Sequence, residues 1–232
     1  MIDVAPELLA KLQKSFSEKL NNNKKIDKIL STIREGEPTY SEINDLSIEV
    51  GDILAEVFKE NLSSDILPDG RMYYNIAKRT VEPMMINNYE IVVNNAVIAQ
   101  ELLNQQAGMR IKAQVPKINQ DRIDGIINRL DYEEVFDDIK WILDEPVKNF
   151  TQAVVDDLIQ KNAEFHQGLG LKPIVKRIVR GDCCDWCRQV AGDYEYPSVP
   201  KDVYRRHRYC RCTVEYDPGN NKKQDVWTKQ WR

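Results

Sequence analysis

The residues best placed to do chemistry sit close together near the end of the chain. Five cysteines (Cys183, Cys184, Cys187, Cys210 and Cys212) all fall in the last quarter of 232 residues, and none precedes position 183. Cys184-Asp185-Trp186-Cys187 is a C-x-x-C unit, a spacing that lets two thiolates from one tight turn share a tetrahedral ion. After a gap of nineteen residues, His207-Arg208-Tyr209-Cys210 forms H-x-x-C, with Cys212 two positions further on. Two short ligand pairs separated in this way are the usual sequence form of a structural zinc site. Thiolates and imidazole suit zinc, whereas calcium and magnesium take oxygen ligands. The cluster offers more donors than one tetrahedral ion needs. Cys184 and Cys187 form the first pair. His207 with Cys210 or Cys212 then completes three cysteines and one histidine, or both cysteines complete an all-thiolate set. If Cys210 and Cys212 lie in a strand they face the same side, so either reaches the metal. Cys183 points away from its neighbour and is a spare.

Other chemistries fit these residues less well. A disulfide framework needs an oxidising compartment, and the start Met1-Ile2-Asp3-Val4-Ala5-Pro6 lacks the basic residues and apolar stretch of an export signal. A redox C-x-x-C normally opens a helix in a thioredoxin-like βαβ unit, a setting not expected in this region. A catalytic zinc keeps an open position for water. A full donor set with no general base at recognisable spacing predicts a closed, structural staple. Between Lys176 and Arg211 nine basic residues face five acidic ones. This locally positive stretch is expected to form ion pairs with an acidic helical body. The acidic doublets Asp137-Asp138 and Asp156-Asp157 are read as solvated helix faces, since adjacent helical residues point in different directions. His166, just before Gly168, is read as a helix-end residue.

The elements that carry this cluster read as helix after helix. Thr39 and Glu42 fit a capping box ahead of Ile43, Leu46, Val50, Ile53, Leu54, Val57 and Phe58 at helical spacing. Ser63-Ser64-Asp65 and Pro68-Asp69-Gly70 break that pattern. A second stretch starts near Arg71, meets Pro83, and is expected to restart and run to about Gln106, with Gly108 as its stop. Residues 107–116 suggest a short strand or extended linker. Helical spacing resumes at Ile123 and again at Val135, is interrupted at Glu145-Pro146, and continues from Asn149 to Phe165. Beyond Pro173 the texture changes to β-branched residues interleaved with Lys and Arg, a turn-rich stretch, and a strand from Cys210 to Tyr216.

The predicted fold is therefore mainly α: a helical body over 1–165, with a possible sub-break near 107–118, and a small α+β zinc-stapled module over 166–232 that ends in a polar tail with Trp227 and Trp231. The chain is long enough to bury a sizeable core. Its 33 Lys+Arg against 37 Asp+Glu give a net charge of −4, which argues against a surface that is nucleic-acid footprint throughout. Apolar runs of only a few residues, such as Ala96-Val97-Ile98-Ala99, predict no membrane span.

Three segments carry a family resemblance. They are Val155 to His166, the stretch Cys184-Asp185-Trp186-Cys187-Arg188-Gln189-Val190-Ala191-Gly192, and Tyr204 to Tyr216 with its His207-x-x-Cys210-Arg211-Cys212 core. Together they resemble minor head proteins of tailed phages and prophages of Gram-positive bacteria, relatives of the phage Mu F-like head-morphogenesis group. Arg208-Tyr209 stands where that group often has Pro and Asn. The resemblance covers roughly the last third of the chain and implies a structural, non-enzymatic virion protein. Such a protein sits inside the head near the portal, contacts portal or major capsid protein, assists head assembly or DNA ejection, and resides in the host cytoplasm during assembly. The implied partners include packaged DNA through nonspecific contact, but neither a membrane nor a small-molecule substrate. The competing expectation is a zinc-stapled nuclease or nucleic-acid-binding protein using His207 and the nearby arginines, with Asp202 as the nearest acid.

Overall fold

The computed structural model describes residues 3–219 and 228–230; Trp227 and Trp231 of the expected tail lie outside the described residues. Helix α1 (Ala5–Asn21) begins with a proline in its first turn, where the missing N–H costs nothing. A two-residue link leads to α2 (Lys24–Arg34), capped by the Asn23 side chain, which accepts from the backbone N–H groups of Lys25 and Ile26. Helix α3 (Tyr40–Asn61) starts with the expected capping box: Thr39 Oγ1 accepts from Glu42 N at 3.2 Å, and Glu42 returns a bond to Thr39 N at 2.9 Å. The Ser63 and Pro68 breakers form two short 3₁₀ turns.

Helix α4 (Tyr74–Gln106) runs unbroken through Pro83. This corrects the expected interruption. A proline removes one helical hydrogen bond, and here Val81, Met84 and Met85 are buried on either side of it, so packing holds the helix across the gap. Gly108, at φ +79°, ends that helix in the left-handed region, where a side chain is disfavoured. The extended segment that follows has no strand partner among the described residues; instead Asn162 plays that part, accepting from Gln114 N at 2.9 Å and donating to Gln114 O at 3.0 Å. Helices α5 (Gln120–Leu130) and α6 (Phe136–Ile139) then lead to α7 (Glu145–Gly168). Pro146 starts α7 rather than merely separating two helices, so this helix is longer at both ends than the periodicity suggests.

Helices α3, α4 and α7 form the centre of the body. At Gly51 the α3 backbone approaches α7 so closely that a Cβ there would lie 3.0 Å from Thr151 Cβ. Thr151 Oγ1 donates to Asn88 Oδ1 at 2.8 Å, and Asn88 Nδ2 donates to Val50 O at 3.4 Å, so one buried polar link joins all three helices.

The C-terminal part is a three-stranded antiparallel sheet in the order β2-β1-β3, formed by β1 (Ile174–Ile178), β2 (Gly192–Glu195) and β3 (Thr213–Asp217). In β1 the alternation places Val175 and Arg177 on the covered side. Val175, Val214 and Tyr216 join the same apolar core as the helices, and β3 packs directly on α3 and α7. The molecule is thus mainly helical with a small sheet at its C-terminal end. Among the described residues no helix is long and apolar enough to cross a membrane.

Candidate metal centre

Two short pieces of backbone bring the donors together. Cys184 precedes the five-residue helix α8 (Asp185–Gln189), and Cys187 lies one turn inside it, so the pair brackets a single turn. The C-x-x-C opens a short helix, but it follows the middle strand of an antiparallel sheet and not a strand of a βαβ unit, as expected. On the other side, His207 to Cys210 is a tight turn. Cys210 N donates to His207 O at 3.1 Å, and Tyr209 adopts φ +64°. This turn sets the imidazole beside the thiols of Cys184 and Cys187. Cys210 and Cys212 lie just before β3 and not within it, which corrects the expected strand from Cys210 to Tyr216.

Cys184, Cys187, Cys210, Cys212 and His207 lie close together and could hold a metal ion, in two donor groups that share Cys187: one with Cys184 and His207, the other with Cys210 and Cys212. His207 Nε2 is 2.8 Å from Cys187 Sγ and 3.3 Å from Cys184 Sγ, while Cys187 Sγ is 3.8 Å from Cys210 Sγ. The last distance matches a metal site: with metal–sulfur bonds of about 2.3 Å, the edge of a tetrahedron is about 3.8 Å. All five cysteines are free thiols. Cys183 and Trp186 pack against the cluster, with Cys183 outside both donor groups. His207 Nδ1 lies 2.7 Å from Arg208 O, so it carries the proton and leaves the Nε2 lone pair facing the sulfurs. Charge around the cluster is uneven. The Cys212 thiol, helped by Arg206 and Arg177, pulls Cys210 down to about 4, while burial pushes Cys187 up. Arg177, buried in β1, donates to Val203 O at 2.6 Å and points Nη2 at Cys210 Sγ, 3.3 Å away.

A polar stripe on α7 holds this segment against the body. Glu145 accepts from Tyr209 N at 2.7 Å, and Asn149 donates to His207 O at 3.1 Å. Gln152 accepts from Arg206 Nη1 at 2.9 Å, and Asp156 takes Arg206 in two parallel bonds of 2.6 Å. Positions 145, 149, 152 and 156 fall on one helical face, and all four residues are buried. Asp156 is thus not on a solvated face, as its sequence context suggests. It is fully buried, and the Arg206 side chain it binds is 2% exposed. Arg206 also donates to Cys212 O. The expected ion pairs with the body are present elsewhere too: Arg211 reaches Asp52 and Glu145, and Arg180 reaches Asp45. Asp202, the acid nearest to His207 in sequence, pairs with Arg205.

His166 is in the last turn of α7, as expected of a helix-end residue, but it is fully buried and bonded to the Tyr216 hydroxyl on β3. Burial lowers it to about 4, so it is neutral at pH 7. Asp157 is raised to about 6 by burial and by the neighbouring Asp156 charge. The signal that could have exposed the stripe was present in the sequence: Glu145, Asn149, Gln152 and Asp156 recur at helical spacing just as apolar residues do.

No family model, curated protein or solved structure matches this chain. Its chemistry is read from the site itself. The cluster is a soft-donor pocket whose imidazole has one nitrogen directed at sulfur and the other held by a carbonyl. That arrangement suits binding an ion rather than shuttling protons.

Proposed function

We propose that this chain is a structural minor head protein of a tailed bacteriophage, in which one zinc ion staples the C-terminal module together and a buried polar stripe on α7 holds that module to the helical body. The observation that carries the staple is the α7 stripe. It fastens both sides of the donor turn to the central helix of the molecule through buried hydrogen bonds. The ligand set is Cys184, Cys187, His207 and Cys210, the four donors linked by consecutive separations of 2.8–3.8 Å. Cys212 is the spare donor beside Cys187 and Cys210, with its carbonyl tied to Arg206. Zinc would supply cross-linking here, joining α8 to the 207–210 turn.

The placement in a phage head rests on the resemblance carried by the 155–166, 184–192 and 204–216 segments. A nuclease reading gains no support from the site, because Asp202 is engaged by Arg205 and both nitrogens of His207 are occupied. The test is genetic and structural. Deleting the gene should leave host growth unchanged but lower the yield or infectivity of particles. Purified heads should contain the chain near the portal. Deletion particles that infect normally, together with heads that lack the chain, would overturn the assignment. A plasmid-cleavage assay should then give no metal-dependent product.

A further inference from the structure

Buried charge in the C-terminal module does not balance on protein groups alone. Arg206 is neutralised by Asp156 in a two-bond pair. Arg177 is just as deeply buried, at 2% exposure, but no carboxylate pairs with it among the described residues. One of its amino groups meets a neutral carbonyl, Val203 O, and its Nε has no partner. Its guanidinium lies 5.9 Å from the Trp186 ring, and that ring stands edge-on to His207 at 5.4 Å. The other amino group of Arg177 reaches Cys210 Sγ, 3.3 Å away. An isolated cation in such a place is strongly disfavoured, so its counter-charge must come from the cluster.

We infer that Arg177 is the counter-ion of the metal–thiolate centre, and that it selects a centre bearing one net negative charge. This rests on the zinc reading above. Zinc with three thiolates and one neutral imidazole carries one negative charge, which Arg177 cancels. Four thiolates would carry two, leaving one uncompensated. Arg177 thus acts as a positioning residue: it holds Cys210 as a thiolate beside the ion and favours His207 over a fourth cysteine. Its place on the middle strand fixes it, since β1 is paired on both edges and cannot shift without breaking the sheet.

The test is a double-mutant cycle on zinc affinity, measured by competition with a chromophoric chelator on the full chain. Arg177→Met should weaken zinc binding by about 10–100-fold, the usual cost of removing an outer partner of a ligand. Arg177→Lys keeps the charge and should retain most of the affinity. Cys184→His makes the centre neutral at its exposed corner, and in that background Arg177→Met should cost less than about threefold by the same reasoning. If Arg177 merely packs, the loss will be equal in both backgrounds and Lys will not rescue; either result overturns the proposal. Should Arg177→Met fail to fold, the Lys variant and cobalt-substituted wild type still decide. Charge-transfer absorption from three thiolates supports the inference, and absorption from four refutes it. Wild-type protein that binds neither zinc nor cobalt would instead bring down the zinc reading itself, and this inference with it.

Discussion

Replacing Asp156 by Ala removes the anion that neutralises Arg206 and leaves the guanidinium buried. The two bonds of 2.6 Å disappear, while Gln152 Oε1 at 2.9 Å and the Cys212 carbonyl remain as neutral acceptors. Breaking a buried pair from one side costs about 3–5 kcal/mol, and the surviving acceptors place this case near about 3. For a protein of this size, each kcal/mol moves the thermal midpoint by about 2–4 °C, so the expected drop is about 6–12 °C. Thermal unfolding followed by far-ultraviolet circular dichroism on zinc-loaded protein measures it. Asp185→Ala is the control. It breaks the Arg188 pair, whose side chains are 60% and 90% exposed, and should cost under about 1 kcal/mol. The double change Asp156→Leu with Arg206→Met removes both charges and should recover much of the loss. If Asp156→Ala and Asp185→Ala cost the same, the stripe does not hold the module and the reasoning fails.

Three further outcomes follow from packing and titration. Gly51→Ala should destabilise by about 1–3 kcal/mol despite the better helix propensity of Ala, because the new methyl meets Thr151 and the α7 backbone at 3.0–3.3 Å; urea unfolding reads the sign. His166, held neutral to about 4 when folded, should make wild type lose stability as pH falls from about 6.5 toward 4, since only the unfolded chain takes up the proton. His166→Gln should flatten that part of the profile, and an unchanged slope would contradict the assignment. Asp157 works in the opposite sense: its raised folded value makes ionisation costly, so Asp157→Asn should stabilise at pH 7 and have no effect below about pH 4. Midpoints measured across that range separate the two.

The donor set was legible because its signal is local. C-x-x-C and H-x-x-C need only a turn each, and both turns formed, one as the opening of α8 and one around Tyr209. Capping was legible for the same reason, as Thr39 shows. Pro83 misled because a local rule about the broken hydrogen bond was outweighed by packing on both sides of it. Asp156 misled for a different reason. Its partner Arg206 lies 50 residues away in sequence, so the helical recurrence of the stripe did not say what it would meet, just as the helix-end position of His166 did not announce Tyr216 at the same separation. Arg177 in β1 looked like one more exposed basic residue until the sheet order placed it on the covered side. The division between solvated and buried charge therefore depended on how the module folds back onto α7.

The most direct test of the central claim is elemental analysis of the purified full-length chain, beside its Cys187→Ser, Cys183→Ser and Cys212→Ser variants. Cys187 belongs to both donor groups, whereas Cys183 belongs to neither. The account predicts about one zinc per chain in wild type and in the Cys183 and Cys212 variants, as one tetrahedral site requires. The Cys187 variant should lose the metal, and its C-terminal module should become protease-sensitive. Wild-type protein without zinc, or a Cys187 variant that retains it in full, would contradict the account.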